Sequence, residues 1–251
     1  MLGRMGYYNY QSGLIHHHIS EEGGWEDHLR HCREFILKAI DMFKPEKVTV
    51  LGSGWLLDLP LAEIVETAKK VCLIDIIHPP DVIAQVRSFG NVELTELDVT
   101  GGLISEVWEK AGKFSIFKRL KSLSDIEIPE FKIDTDPGIV ISLNIVTQLE
   151  ALILTYIKKR GKFSDKELTA FRKEVQEKHI RFLMKHRSVL ISDCEEILTD
   201  KSGNTDSNPT LLAVLPRGIL KEKWTWNFDK PGDGLYNSKS QFRIVALIND
   251  K

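Results

Sequence analysis

Cysteine is scarce in this chain. There are three among 251 residues, Cys32, Cys72 and Cys194. They lie far apart without a CxxC pair, which excludes a disulfide framework or a thiolate zinc site as the organising device. Long apolar runs are missing as well: none approaches the roughly 18–20 residues that a membrane span needs. The first 20 residues are polar and aromatic and lack the apolar stretch of a secretory leader, so a cytoplasmic location is expected. Neither sign of charge dominates, with 34 Lys and Arg against 36 Asp and Glu, a net charge of −2. A protein that wraps nucleic acid carries a strong basic balance, so neither a nucleic-acid nor a membrane partner is expected, and a small-molecule partner is. No internal repeat stands out. What is present is a hydrophobic content of 42%, enough for the core of one ordinary α/β domain.

Short apolar runs alternate with helical periods along the chain. Residues 48–51, 71–76, 92–97, 138–143 and 188–192 read as buried parallel strands. Helices are expected over 59–70, 80–89, 103–110 and 144–160, with Asp58 placed to cap the first and Pro60 in its opening turn. Ser164-Asp165-Lys166-Glu167 has the form of a capping box, opening a helix with Leu168, Phe171, Val175, His179 and Phe182 in line. Before the first strand, Leu29, Cys32, Ile36, Ala39 and Phe43 recur at three- and four-residue steps and give one more helix, stopped by Pro45. Residues 1–24 show no clear period. Residues 112–137 break the rhythm and join a helix back to a strand, so most of them are expected at the sheet edge remote from any ligand, in packing or oligomer contacts. Residues 199–210 read as a polar loop. Residues 224–228, a turn region at Pro231-Gly232-Asp233-Gly234, and residues 242–248 read as a closing antiparallel pair, with Trp224 and Trp226 on one face. The alternation implies a doubly wound, mostly parallel sheet with helices on both faces. This unit spans 45–251 and follows an N-terminal cap segment and helix over 1–44.

In such a sheet the ligand lies outside the carboxyl ends of the strands. The loops that matter are therefore 52–58, 75–80, 98–102, 142–148 and 192–209. The first opens with Val50-Leu51-Gly52-Ser53-Gly54, whose glycines permit a tight turn and a close approach of ligand to backbone. About 20 residues further on, Asp75 ends the second strand, where an acid accepts protons from two ribose hydroxyls. The pair points to an adenosine-type ligand; a purely structural tight turn is the alternative. A dinucleotide fingerprint wants a third small residue where Leu57 stands, and a free helix N-terminus for the pyrophosphate. Asp58 at that pole would repel a diphosphate but tolerate an ammonium and a sulfonium, which favours S-adenosylmethionine over NAD. Tyr156 is followed at the four-residue step by Arg160, so the Tyr-x-x-x-Lys pair of short-chain dehydrogenases is absent.

Residues 48–75, Glu96-Leu97-Asp98-Val99, Ser142-Leu143-Asn144 and the final hairpin together resemble class I S-adenosylmethionine-dependent methyltransferases, over roughly residues 45–250. The resemblance implies a Rossmann-like, seven-stranded sheet with an antiparallel last strand, transferase activity, and S-adenosyl-L-methionine as cofactor. It implies that Gly52 and Gly54, with Ser53 between them, contact the methionine part and that Asp75, followed by Ile76, contacts the ribose. Asp98 and Val99 would flank the adenine, the carboxylate accepting from its exocyclic amine, and Asn144 would stand beside the methyl group. The chain departs from the family in having Thr49-Val50-Leu51 where an acid usually precedes the glycines. It also lacks Asn-Pro-Pro-Tyr after the fourth strand. No subfamily follows.

The acceptor side is written more thinly. Asn144 and Gln148, four apart at the start of an expected helix, would share a face and orient a polar acceptor; alternatively Asn144 caps that helix. His179 is a candidate general base, or a buried histidine on an apolar stripe. Asp193 and Glu195 follow the fifth strand, where substrates commonly bind. Residues 22–28 read as a hinge and cap, with Trp25 or Tyr10 shielding the site from water, against the alternative of a helix simply packed across the sheet. His16, His18, His28 and His31 invite a four-histidine metal reading, but no carboxylate spacing supports it, and no metal is expected. The expected function is methyl transfer from S-adenosylmethionine to a small or medium-sized acceptor, which needs positioning more than acid–base chemistry; no catalytic residue is assigned. The alternative is a non-catalytic Rossmann-like protein that binds a nucleotide or S-adenosylmethionine, which the missing acid before Gly52 favours. An RNA methyltransferase stands third, without the basic cluster it would show.

Overall fold

Strands that are apolar on both faces need helices on both faces, and β1 (Lys47–Leu51) and β4 (Ile139–Leu143) are buried almost throughout. The computed structural model describes residues 1–21, 23–112, 120, 122–229 and 238–251. Its sheet runs β3 (Val92–Glu96), β2 (Lys70–Asp75), β1, β4, β5 (Ser188–Asp200), β8 (Ser238–Asn249), β7 (Leu220–Asn227). β1 to β5 are parallel to their neighbours, and β8 alone on this path is reversed, pairing antiparallel with β5 and β7. The doubly wound, mostly parallel sheet with an antiparallel last strand is thus observed, but it has eight strands and not the expected seven, the additional one being β6 (Thr205–Pro209), which pairs with β5 off this path. Val48, Val50, Ile141 and Val189 meet α3 (Glu26–Phe43), α4 (Leu61–Thr67) and α5 (Pro80–Val86) on one face. Leu51, Val140 and Leu190 meet α8 (Asp165–Leu183) on the other. A flanking cluster joins α1 (Leu2–Met5), α6 (Leu103–Gly112), α7 (Ala151–Lys158) and α8. Among the described residues no helix is long and apolar enough to cross a membrane.

Several local readings hold. Leu29, Cys32, Ile36 and Ala39 form the buried stripe of α3, and Ser164 with Glu167 makes the complete capping box of α8. Others need correction. Asp58 does not cap the helix after β1: α4 starts later, at Leu61, behind Pro60. The expected helix 144–160 is helical only as α7, and residues 146–150 form turns. Residues 1–24 are not irregular but include α2 (Tyr7–Ser20), which has no fully buried residue and so no sharp stripe to announce it. The polar loop 199–210 is largely strand. β5 continues through a bulge at Asp193/Glu195 to Asp200 and turns back into β6 (Thr205–Pro209), every residue of which is exposed. A ladder with no buried side chain on β6 leaves no hydrophobic alternation to read.

In the described part of the insert, Leu123, Ile126, Ile128 and Phe131 are buried, as a packing role requires. It does not stay at the remote edge, however. The Glu130 backbone comes within 2.8 Å of where a Cβ on Gly101 would stand, beside a strand-end loop. Residues 113–119 and 121, and the expected turn at 231–234, lie outside the described residues.

One buried polar network ties the α7–α8 side together. Glu150, 1% exposed, accepts from Arg172 Nε (3.3 Å) and Gln176 Nε2 (3.0 Å), while Gln176 Oε1 accepts from the Leu212 amide (2.6 Å). Burial pushes the Glu150 carboxyl up to about 7 against the pull of Arg172. A carboxyl raised on folding contributes stability that is complete below its unfolded value and lost as pH rises through the folded one. The melting temperature is therefore expected to fall between about pH 5 and 8, and Glu150→Gln to flatten that decline by about 3 kcal/mol. Scanning calorimetry across this range checks it, and an unchanged slope would refute it.

Candidate functional site

Two joined hollows, with about 670 and 650 Å³ of empty space, open where the parallel strands end. Tyr10, Gln11, Gly52, Asp75, Ile145 and Gln148 line both, the last four forming their common floor. A wider depression at the opposite edge, between Lys47, Asp136, Lys185 and Arg187, carries exposed ion pairs such as Arg187–Asp250 (2.8 Å), and no strand-end loop reaches it.

The floor is set by the turn after β1. Gly52 has φ +79°, and a Cβ there would stand 1.8 Å from Ile145 Cγ2. Only glycine lets the loops after β1 and β4 approach this closely. The Gly54 amide donates to Asp75 Oδ2 (2.8 Å), and the Ile76 amide donates to Oδ1 (2.7 Å). Asp75 is 8% exposed, and burial raises its carboxyl while these amides hold it down. Each carboxylate oxygen keeps a further lone pair. Ser53 is 1% exposed, and its hydroxyl has no partner among the described residues.

In the first hollow Asp98, Val99, Leu97 and Ile76 stand against Tyr7 and Ile104. Asp98 spends its carboxylate first on its own loop, accepting from Thr100 N (2.9 Å) and Oγ1 and from Ile104 N (3.3 Å). Burial, then the charge of Asp98, pushes the Tyr7 phenol up.

The second hollow holds Trp25, His28, Asp58, Asn144 and Trp226. Asn144 has φ +50° and Leu56 φ +61°, left-handed conformations that cost a non-glycine residue energy and persist only where surroundings enforce them. The Asn144 side chain is held in place by Asp58: Nδ2 donates to Oδ2 at 2.7 Å. Asp58 is half-buried, and desolvation raises its carboxyl despite Asn144 and Arg33, while its side chain lines the hollow. His28 Nε2, Cys32 Sγ and an Asp58 oxygen lie within 4.8 Å of one another, the spacing of a metal site. Two facts oppose that use. An indole only donates, so Trp224 Nε1 at 3.1 Å makes His28 Nδ1 the acceptor and leaves the proton of the neutral ring on Nε2. The Asn144 amide nitrogen also fills the centre, 3.2 Å from Nε2 and 3.9 Å from Sγ. Burial takes His28 down to about 3, so the ring stays neutral.

The N-terminal segment closes the cleft from above. Trp25, 3% exposed, donates from Nε1 to the Phe228 carbonyl (3.0 Å), and its ring meets Trp226 edge-on at 4.9 Å. Trp55 Nε1 donates to the Gln11 carbonyl (3.0 Å), fastening α2 to the glycine loop, and the Tyr10 hydroxyl donates to Gln148 Oε1 (3.3 Å).

Of the residues singled out in the sequence, Gly52, Ser53, Gly54, Asp75, Ile76, Asp98, Val99, Asn144, Trp25 and Gln148 line the cleft. His179 does not. It is buried against Ser142, its Nε2 2.8 Å from Oγ, with its pKa lowered by burial to about 4. Asp193 lines neither hollow and accepts from the Thr147 hydroxyl. The four histidines do not converge: His16 is exposed, His18 packs on Trp25 and His31 stacks on Trp224. Glu22 lies outside the described residues. The sequence reading missed Tyr7, Gln11 and Leu14, although with Tyr10 they recur at helical steps, and it missed Asp58 as a site residue.

The sequence matches no protein-family profile and no curated protein. Solved structures give loose likenesses. The chain is 10% identical to the N-methyltransferase NodS from Bradyrhizobium japonicum WM9 in complex with S-adenosyl-L-homocysteine, over 88% of this chain and 87% of that one (TM-score 0.39). It is 9% identical to the Burkholderia thailandensis 1,6-didemethyltoxoflavin-N1-methyltransferase, over 96% and 88% (TM-score 0.42). It is also 9% identical to DhpI in a SAM–HEP complex, over 98% and 97% (TM-score 0.38). At these scores the reading of the cleft rests on its own residues.

Asn144→Ala removes the donor to a half-buried carboxylate and is expected to destabilise the fold by about 2 kcal/mol. The loss should grow from acid toward neutral pH as Asp58 ionises. Urea unfolding at both ends of that range checks it; a pH-independent loss would deny the Asp58 partnership.

Proposed function

We propose that the cleft binds S-adenosylmethionine and serves methyl transfer to a small or medium-sized acceptor. The observation that carries this is the charge of the lining: Asp58, Asp75 and Asp98 are present, and among the described lining residues there is no Lys or Arg. A dinucleotide would bring a diphosphate into this field without a cation to meet it. Nor does a helix N-terminus offer itself there, since α4 starts only at Leu61. S-adenosylmethionine brings an ammonium and a sulfonium against a single carboxylate of its own, a net positive charge that suits carboxylates and aromatic walls.

In this reading Asp75 holds the ribose hydroxyls from the common floor. Gly52, Ser53 and Gly54 border the methionine part, Ile76, Asp98 and Val99 border the adenine, and Asn144 and Gln148 flank the reacting end. Bound S-adenosylmethionine supplies an electrophilic methyl group on a positively charged sulfur. The chain supplies orientation and the exclusion of water, for which Trp25 and Tyr10 are placed. Residues 1–44 act as the cap segment and its helix, and residues 45–251 as the Rossmann-like transferase unit. The three cysteines are free, in keeping with a cytoplasmic protein. One observation favours the second reading, a binding protein without turnover: β1 ends in fully buried Val50 and Leu51, so no acid from that strand reaches the cleft.

Calorimetry with S-adenosylmethionine, S-adenosylhomocysteine and NAD tests the proposal. The first two are expected to bind, and Asp75→Ala to weaken them about tenfold or more with the far-UV spectrum unchanged. Binding of NAD alone would sink it. Cofactor binding without methyl transfer to any component of a cell extract would select the second reading.

A further inference from the structure

We propose that the second hollow binds an amine beside the indoles of Trp226 and Trp25, its N–H groups on Asp58. This rests on the methyl-transfer reading of the cleft and names the class of its acceptor.

Charge comes first. The ionised groups lining this hollow are Asp58 and Asp75, and among the described lining residues none is a Lys or Arg. His28, the one base there, is neutral and already accepts at Nδ1. Arg33, whose charge reaches Asp58, is exposed and donates to the Leu57 carbonyl. An acceptor that adds a further carboxylate or a phosphate would stand beside Asp58 and Asp75 without a cationic side chain to meet it, which costs binding energy. A nucleic acid fails for the same reason.

The hydrogen-bond inventory agrees. Asp58 takes one side-chain donor among the described residues, Asn144 Nδ2, against about four lone-pair positions on a carboxylate. Asn144 Oδ1 and Gln11 Oε1 are acceptors without a described partner. The surplus is of acceptors, and its complement is a ligand rich in N–H. Two donors are also unmatched, Trp226 Nε1 and the Ser53 hydroxyl, the latter able to accept as well.

The walls are partly aromatic. Trp226 lies flat on His28, ring centroids 4.0 Å apart and planes 6° from parallel, and Trp25 meets it edge-on. Indoles and a carboxylate lining one hollow suit a neutral or cationic guest better than an anionic one. A nitrogen that gains a carbon also sheds a proton, and the Asp58 carboxylate is placed to take it.

The test is calorimetry on the full chain with S-adenosylhomocysteine present, comparing two matched pairs: tryptamine against indole-3-propionate, and 2-phenylethylamine against 3-phenylpropionate. The amines are expected to bind at least about tenfold more tightly, and Asp58→Asn to erase the preference. Should that variant not fold, the wild-type comparison decides alone. Carboxylates binding as well as the amines would overturn the inference. So would neither class binding while S-adenosylhomocysteine does, and the cofactor reading would then stand. Amines binding in the absence of any affinity for S-adenosylhomocysteine would uphold the amine site and remove the methyl-transfer reading.

Discussion

The cleft depends on one carboxylate that belongs to two loops at once. Asp75 closes β2, yet its oxygens accept from Gly54, in the turn after β1, and from Ile76, in its own. This clasp holds the glycine turn against the sheet. On the far side Ile145 presses on Gly52 so closely that no side chain fits. Three strand ends, β1, β2 and β4, are thereby locked around a common floor before any ligand arrives. Preorganisation of this kind lowers the ordering cost that binding would otherwise meet.

Asp58 and Asn144 show a second economy. Both sit in loops with strained backbone, and each holds the other's side chain in place. The same amide nitrogen lies where three ligand-type side chains converge. The trio of His28, Cys32 and Asp58 therefore works as a neutral ring, a buried thiol and an acid, and not as a set of donors awaiting an ion.

The sequence disclosed the sheet well because its evidence was local: runs buried on both faces, a capping box, a glycine turn with an acid one strand later. The features it concealed depend on distant partners. Asp58 looked like a helix cap because it stood ahead of one, and its actual partner is 86 residues away. His179 and Asp193 were legible as reactive types but not as to partner: packing holds His179 on Ser142, and Asp193 accepts from Thr147. β6 left no trace because its residues are all exposed and polar. α2 escaped for a related reason: a helix that spans a cavity buries no continuous stripe, so its period is weak even where Tyr7, Tyr10, Gln11 and Leu14 keep the spacing.

The roof of the cleft is pinned at its far end to Phe228. Trp25 bonds to that carbonyl across 203 residues of chain, and the His17 ring stacks on the Phe228 ring from still further away. Contacts so distant in sequence form late, because the loop they close must first be ordered. On a ribosome, the glycine turn and its acid would be in place while the roof still lacked its anchor, since β7 is among the last elements to emerge. The Gly54–Asp75 clasp closes 21 residues of chain and the Trp25–Phe228 bond 203, so the seal is the later of the two to be completed.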